Sequence, residues 1–303
     1  MPDLKTVPAP EAPLSPSGLD HFDVLLDKLS AALGDLLDLS GVHYDDINAD
    51  SSGVWFVGWN PSRWNALPPE AAPRVGAARK ALRELHDHAT NAARHAPDRA
   101  EEFGDLEAAF KRLIEQPDTS EGAPKSSIEK VREHADSAVD DYREVVRQLP
   151  AAHGAGEKLL VADTSALLDR PSLQEWKVDG TPWTVVLVPQ VLSELDERKR
   201  DPRTREAAQK VINQLDDFDR RGDLFTGVRL SGSLNVREVP TSPDMDRTLS
   251  WLRSDVPDDA IIAGALELVW QDLTSQVAVT ASDRNVRNKA RLAGLGTVRP
   301  ADL

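Results

Sequence analysis

The sequence has 303 residues and contains no cysteine. Disulfides, zinc sites built from thiolates and cysteine nucleophiles are therefore all excluded. All seven histidines lie at or before His153, so the C-terminal half has neither a histidine base nor a histidine metal ligand. Any chemistry in that half has to use carboxylates, hydroxyl groups and basic side chains.

Long apolar runs are also missing. No stretch reaches the roughly 20 apolar residues that are needed to cross a bilayer. The start of the chain, Met-Pro-Asp-Leu-Lys-Thr-Val-Pro, lacks the basic and then apolar pattern of a secretory signal. The sequence therefore predicts a cytoplasmic protein with no membrane partner, and its length leaves room for two domains.

Positive charge is scarce relative to negative charge. The net charge is −15, which argues against a protein that binds nucleic acid through bulk electrostatics. Residues 1–150 contain 27 acidic and 16 basic side chains, and residues 151–303 contain 24 and 20, giving net charges of −11 and −4. The second half is thus the less repulsive surface for a polyanion.

The first half of the chain has a helical pattern. Residues 1–17 are rich in Pro, Ala and Ser and are expected to form a disordered tail. Residues 18–150 are expected to form a mostly α-helical domain, with helices near 19–39, 73–95, 101–116 and 126–148 and a short extended or irregular unit at Val54–Trp64. No recognisable motif occurs there, so we expect this half to bind a protein partner, to self-associate or to restrain the other half.

The second half changes to an alternation of strands and helices. Residues 151–156 form a linker, and the domain beyond them covers 157–303. Strands are predicted at Leu159–Ala162, Thr184–Val188 and Val277–Thr280. Helices are predicted near 190–200 and 203–219 and at the apolar segment that begins with Asp258, and a last helix follows the third strand and ends at about Leu292. Strands separated by helices predict an α/β fold with a parallel sheet flanked by helices.

Acidic residues fall at the ends of these elements. Asp163 directly follows the first strand and Asp283 follows the last, and the C-terminal ends of parallel strands share one edge of a sheet. Glu194 lies at the border of the buried stripe of its helix, while Asp258 and Asp259 open the apolar helix. Each residue alone also has an ordinary explanation, as a helix cap or, for Glu194, as an ion-pair partner of Arg198.

Clustered carboxylates repel one another, and a divalent cation relieves that repulsion. Because only oxygen ligands are at hand, such a cluster favours one or two Mg²⁺ or Mn²⁺ ions over zinc.

Four segments of this half resemble the motifs of PIN-domain nucleases. The run VADTSALLD is similar to the first motif of that family, VLVPQVLSELDERKRD to the second, PDDAIIAGAL to the third and VTASDRNVRNKA to the last. The resemblance covers roughly residues 157–303. The ELDERK form and the long insertion after Glu194 look more like the larger RNA-processing and RNA-decay type than the compact toxins.

The resemblance implies hydrolysis of RNA phosphodiester bonds by metal-activated water, with Asp163, Glu194, Asp259 and Asp283 as catalytic metal ligands. Either Asp258 or Asp259 fits the third acidic position, and the apolar residues after Asp259 favour the latter. Substrate or ligand contacts are expected from three hydroxyl groups and four arginines: Thr164, Ser165, Thr280, Arg198, Arg203, Arg284 and Arg287. For the hydroxyls, hydrogen bonding within a local turn or cap is an equally good explanation. For the arginines, the equal alternative is a solvated helix face.

Two other functions remain open. One is a structure-specific DNA nuclease of the flap-endonuclease type, although no long basic helical arch is evident. The other is a catalytically inactive PIN scaffold or RNA-binding module, although every expected acidic position is filled. A phosphatase of the haloacid-dehalogenase class is disfavoured, because it requires an aspartate where Ser165 stands.

Overall fold

The computed structural model describes residues 15–44, 62–116, 122–149, 156–178, 182–231 and 234–303. The chain divides into two compact units, one made of Met1–Gly18 with Ala151–Leu303 and the other of Leu19–Pro150. Across these described ranges, no helix combines the length and the apolar character that a membrane span requires.

The N-terminal unit is mostly helical, as the sequence predicts. Its helices are α1 (Gly18–Leu37), α2 (Ala72–Ala93), α3 (Ala100–Glu115) and α4 (Ile128–Arg147), and two short antiparallel strands accompany them, β1 (Val42–Tyr44) and β2 (Ser62–Trp64). The apolar positions of α1 that recur at helical spacing are buried, including Phe22, Leu26, Leu29, Leu33 and Leu36. The extended unit predicted at Val54–Trp64 is seen only as β2, because residues 45–61 lie outside the described ranges.

Helices α3 and α4 of this unit share an aromatic contact. The ring of Tyr142 on α4 lies 5.1 Å from that of Phe103 and 6.1 Å from that of Phe110, both on α3. Arg143 on α4 also pairs with Asp23 and Asp27 of α1, at 2.8 and 3.0 Å. Aromatic packing therefore holds α3 against α4, and ion pairs join α4 to α1.

The C-terminal unit is an α/β domain. Its strands are β3 (Lys158–Ala162), β4 (Trp183–Leu187), β5 (Val228–Ser231), β6 (Leu234–Glu238), β7 (Gln276–Thr280) and β8 (Gly296–Val298). Its helices are α5 (Thr164–Asp169), α6 (Pro189–Arg198), α7 (Arg205–Asp219), α8 (Pro257–Gln271) and α9 (Arg284–Leu292).

The six strands form one sheet in the order β5-β6-β4-β3-β7-β8. All neighbouring pairs are parallel except β5 and β6, which are antiparallel. The mostly parallel sheet agrees with the prediction, but three strands were missed. β8 has only three residues, and β5 and β6 alternate apolar residues with arginine and asparagine, which weakens the signal of a buried strand.

The strand order brings the ends of β3, β4 and β7 together. β3 is the central strand of these three, and the register pairs Val161 with Val186 on one side and Ala162 with Thr280 on the other. The ladder continues one residue further, since the Asp163 N–H donates to the Thr280 carbonyl over 2.9 Å. Asp163 thus extends from the centre of the rim.

Helix α8 approaches this rim closely because residue 264 is glycine. A Cβ atom on Gly264 would lie 2.9 Å from Cγ1 of Val188, the residue that joins β4 to α6. A larger residue would push α8 away, and with it the acidic first turn that contains Asp258 and Asp259.

A short N-terminal segment belongs to this unit. Ser15 is buried, donating from Oγ to the Val277 carbonyl over 2.6 Å and accepting from the Gly296 N–H at 3.1 Å. Ser17 bridges to Gln276. These serines were expected in a disordered tail but instead contact the strands β7 and β8, whereas residues 1–14 of that tail lie outside the described ranges.

Candidate active site

Asp163 is held rigidly at the end of β3. It caps α5 by accepting a hydrogen bond from the Ser165 N–H over 3.1 Å, and it also accepts one from the Ser165 hydroxyl. Only 5% of the residue is exposed. The capping explanation is therefore correct, but a cap buried at the centre of a sheet edge also presents a carboxylate in a fixed position.

The Ser165 hydroxyl joins Asp163 to the segment that contains Asp283. While it donates to Asp163, it accepts from the Ser282 N–H over 2.9 Å and from the Asp283 N–H over 3.4 Å. Asp283 caps α9 through the Asn285 N–H at 2.6 Å and is exposed. One hydroxyl thus ties together the two segments that follow β3 and β7.

Glu194 lies on α6, which begins with Pro189 in its first turn, a position where a missing N–H costs nothing. The side chain is half-buried, and Oε1 accepts a hydrogen bond from Gln190 Nε2 over 2.8 Å. No ion pair with Arg198 occurs within the described ranges, so that ordinary explanation of Glu194 fails.

The two aspartates of the α8 first turn have different environments. Asp259 is 3% exposed, and both of its oxygens are engaged, Oδ1 with Lys289 Nζ at 2.6 Å and Oδ2 with the Arg253 N–H at 3.0 Å. Asp258 is half-buried, and its nearest cation is the same Lys289 nitrogen at 3.8 Å. Neither residue caps the helix, because Val256 occupies the cap position.

Electrostatic interactions connect five acidic residues, which come from four segments of the chain. Burial raises the pKa of Asp163; the Ser165 hydrogen bonds lower it in part, and the charges of Glu194 and Asp258 raise it further. Burial also raises the pKa of Asp258; Lys289 lowers it, and Asp283 and Glu194 raise it together with Asp259. Carboxylates from four separate segments therefore repel one another across this rim.

This pattern bears on the choice between Asp258 and Asp259. The charge of Asp258 acts on Asp163, whereas Asp259 is not among the groups that shift the pKa of Asp163. Asp259 is neutralised by Lys289 and accepts a backbone hydrogen bond. The contacts thus distinguish the two carboxylates, since both oxygens of Asp259 are engaged and Asp258 lies 3.8 Å from its nearest cation. The preference for Asp259 drawn from the apolar residues that follow it stays a prediction.

The chemistry of these residues fits a hard divalent cation. Within the described ranges, no three Asp, Glu or His side chains already form a group that could hold a metal ion. However, the donors are carboxylate oxygens whose mutual repulsion a cation would relieve. The hydroxyls of Thr164 and Thr280, next to Asp163 in the chain and in the sheet, are buried and find no hydrogen-bond partner in the part of the chain that the structure describes.

The hydroxyl groups are unsuited to direct substrate contact. Thr280 is fully buried and Thr164 is nearly so, while the Ser165 hydroxyl is already engaged on both sides. Burial leaves Thr164 and Thr280 out of reach of a phosphate in this structure. Of the three hydroxyls, only that of Ser165 hydrogen-bonds a carboxylate of the site, donating to Asp163.

The four arginines separate into two groups. Arg198, Arg203 and Arg284 are exposed, and their guanidinium groups make no hydrogen bond or ion pair within the described ranges. Arg287 differs, because its Nη1 donates to the carbonyls of Ala281 and Ser282, both at 2.6 Å. It holds the segment before α9 in place and is not a free cation.

Lys289 is a site residue that the sequence did not single out. It appears in the sequence as one of several basic residues of α9, and its pairing with Asp259 depends on tertiary packing. One signal exists, since Val286 and Ala290 form the buried face of α9 and Lys289 lies at the border of that face.

The fold and the site together define a nuclease-like α/β domain with an acidic rim. Residues 160–300 match the sequence profile of the PIN domain, and this part of the chain belongs to that family. PIN domains are nuclease domains that act on nucleic acid and are generally metal-dependent. No curated protein matches the chain.

Proposed function

We propose that the chain is an endoribonuclease that requires Mg²⁺ or Mn²⁺ and hydrolyses RNA phosphodiester bonds at the acidic rim. The observation that carries the proposal is the gathering of Asp163, Glu194, Asp258 and Asp283 from four segments of the chain. Burial raises the pKa of both Asp163 and Asp258, and the charges of neighbouring carboxylates raise both further. Stability alone gives no reason to gather four like charges at the carboxyl ends of three strands.

In this proposal Asp163, Glu194, Asp258 and Asp283 are the metal ligands. Asp258 replaces Asp259 in that role, while Asp259 positions Lys289 and the first turn of α8. A divalent cation bound among these carboxylates would acidify water and stabilise negative charge that develops on a phosphate. Ser165 would keep Asp163 and the Asp283 segment at a fixed separation.

The free guanidinium groups of Arg198, Arg203 and Arg284 are proposed to bind phosphates on either side of the scissile bond. Phosphate contacts of this kind position a nucleic acid without reading its sequence. Arg198 is the last residue of α6, the helix that contains Glu194, and Arg203 follows that helix. Arg284 is the first residue of α9, directly after Asp283.

The decisive experiment is Mn²⁺-dependent cleavage of a panel of labelled RNAs by the full chain and by Asp163→Asn. We expect the variant to be at least about 100-fold slower, because it loses a charge that the transition state requires. Asp217→Asn is the matched control, as the same change on the exposed face of α7. Equal cleavage by wild type and Asp163→Asn would refute the proposal.

A second measurement separates the two aspartates of α8. Mn²⁺ titration by calorimetry should show binding that is at least about tenfold weaker for Asp258→Asn. Asp259→Asn should bind Mn²⁺ nearly as well as wild type but unfold more readily. The opposite result would return Asp259 to the metal site.

The alternatives predict other outcomes of the same assay. Preferential cleavage of DNA flaps over matched RNA would indicate the structure-specific DNA nuclease. Binding of RNA without cleavage in any metal would indicate an inactive PIN scaffold.

A further inference from the structure

A groove on the N-terminal unit lies between α2 and α3. Its volume is about 560 Å³, and apolar side chains contribute to its lining, among them Leu82 of α2 and Ala108 and Ile114 of α3. Leu82 and Ala108 are partly exposed within it. The groove belongs entirely to this unit and shares no residue with the acidic rim.

Three free cations border the groove. Arg79 and Arg83 lie one turn apart on α2, and Lys111 faces them from α3. All three are exposed, and within the described ranges none forms an ion pair or a side-chain hydrogen bond. Other cations of this unit, such as Arg74, Arg132 and Arg143, do pair with carboxylates.

The acidic residues of the groove cancel only part of this charge. Glu107 is already engaged, with Oε2 lying 2.6 Å from His86 Nδ1 and Oε1 accepting from the Tyr142 hydroxyl over 3.2 Å. Glu115 lies at the C-terminal end of α3 and is exposed. The lining therefore has three basic side chains against two acidic ones, of which Glu107 is already engaged, in a half of the chain whose net charge is −11.

We propose that this groove binds an acidic amphipathic segment of a protein partner. The apolar lining suits two or three leucine-like side chains, and Arg79, Arg83 and Lys111 suit carboxylates that flank them. From Arg79 to His86 the lining of α2 runs for about 10 Å at 1.5 Å per residue, which corresponds to two turns of a bound helix. RNA is disfavoured as the occupant, because the surrounding unit is strongly acidic and the groove is partly apolar.

The proposal can be tested on the full chain with a synthetic probe. The probe is a fluorescein-labelled helical peptide of about 14 residues, composed of Glu, Leu and Ala with leucines at every third or fourth position. Its binding is followed by fluorescence anisotropy. A peptide of the same composition in scrambled order, a Lys-for-Glu version and a labelled single-stranded RNA serve as competing ligands.

Two pairs of variants locate the binding. Arg79→Ala/Arg83→Ala removes groove cations, and Lys80→Ala/Lys125→Ala removes the same charge from exposed positions outside the groove. Gly104→Gln fills the groove and Gly76→Gln is its control. A Cβ at either glycine meets nothing within 4 Å, so both variants should fold.

We expect the amphipathic acidic peptide to bind in preference to the scrambled peptide. The double arginine variant should weaken binding by roughly 3- to 10-fold, in line with two exposed charge contacts. Gly104→Gln should weaken binding too, and both controls should bind as wild type does. No binding by wild type at about 100 μM probe, which corresponds to an affinity too weak for a specific site, would overturn the proposal. Equal effects of groove variants and controls, or tighter binding of the RNA or the Lys-for-Glu peptide at these residues, would also overturn it.

Discussion

Lys289 Nζ on α9 lies 2.6 Å from Oδ1 of Asp259 on α8, and the Asp259 carboxylate is almost fully buried. The second oxygen of that carboxylate accepts from the Arg253 N–H. The pair therefore couples two helices at the acidic rim and removes one negative charge from a group of five.

Loss of Lys289 should destabilise the C-terminal unit. Lys289→Met leaves the Asp259 charge buried with one backbone donor, and we expect a loss of about 1–3 kcal/mol in the free energy of unfolding. Denaturant unfolding followed by tryptophan fluorescence measures this loss, since Trp176 and Trp183 are buried in this unit.

The matching double variant distinguishes charge from packing. Lys289→Met/Asp259→Asn should be more stable than Lys289→Met, because no unpaired charge remains. If the double variant instead loses as much free energy of unfolding as the two single variants together, loss of the ion pair does not explain the destabilisation.

Removal of the Ser165 hydroxyl should slow cleavage with little change in RNA binding. Ser165→Ala deletes the donor to Asp163 and the acceptor for the Ser282 N–H, so the carboxylates lose their fixed separation. We expect kcat to fall by about 10- to 100-fold, as for other residues that orient metal ligands, while KM for RNA stays within about twofold of wild type, since no substrate contact is removed.

Ser193→Ala is the control for this variant, because its hydroxyl donates to the Pro189 carbonyl on the exposed side of α6. A rise in KM alone, with kcat unchanged, would contradict a positioning role for Ser165.

Arg284 and Arg287 are one helical turn apart, but their alanine variants should have different effects, one on RNA binding and the other on stability. Arg284→Ala removes an exposed free cation, so RNA binding should weaken and the slope of log affinity against log salt should fall by about 0.7 for a single strand. Stability should be unchanged.

Arg287→Ala should lower stability instead, because it deletes the donor to the Ala281 and Ser282 carbonyls. Its salt slope should match that of wild type. Identical salt slopes for wild type and Arg284→Ala would argue against a phosphate contact at Arg284.

The N-terminal unit should lose stability in mild acid. Nε2 of His21 lies 3.3 Å from Nε2 of His88, and burial lowers the pKa of His21 to about 4, with Glu84 raising it and Lys28 lowering it. Burial and His21 lower the pKa of His88 well below its usual 6.5. The unfolded chain therefore binds protons between pH 6.5 and 4 that the folded unit does not, and stability falls as the pH falls through that window.

For His21 the loss of stability is about 2 kcal/mol between pH 7 and pH 5, and it grows to about 3 kcal/mol below pH 4. Denaturant unfolding followed by helical circular dichroism at pH 7 and pH 5 measures the first part of this loss. The double variant His21→Leu/His88→Leu should lose less stability between the two pH values than wild type, and His43→Asn, at an exposed position, should not differ from wild type. Equal pH dependence in all three would exclude the histidine pair as the cause.

The sequence alone was sufficient for the elements with strong periodicity. The apolar spacing of α1 and the caps Asp163 and Asp283 are local features, so they could be read without coordinates. β5, β6 and β8 were missed, because short strands with polar residues take their structure from the neighbouring strand rather than from their own pattern.

What the sequence determined is the composition of the rim: carboxylates at strand and helix ends, no cysteine, and no histidine in this half. These facts follow from residue identity and local periodicity. Only the tertiary structure decided which aspartate of α8 is electrostatically coupled to Asp163, that Lys289 neutralises the other, and that Arg287 is not free. Each of these depends on distances between segments far apart in the chain, which the packing of α8 and α9 against the sheet sets and no local pattern encodes.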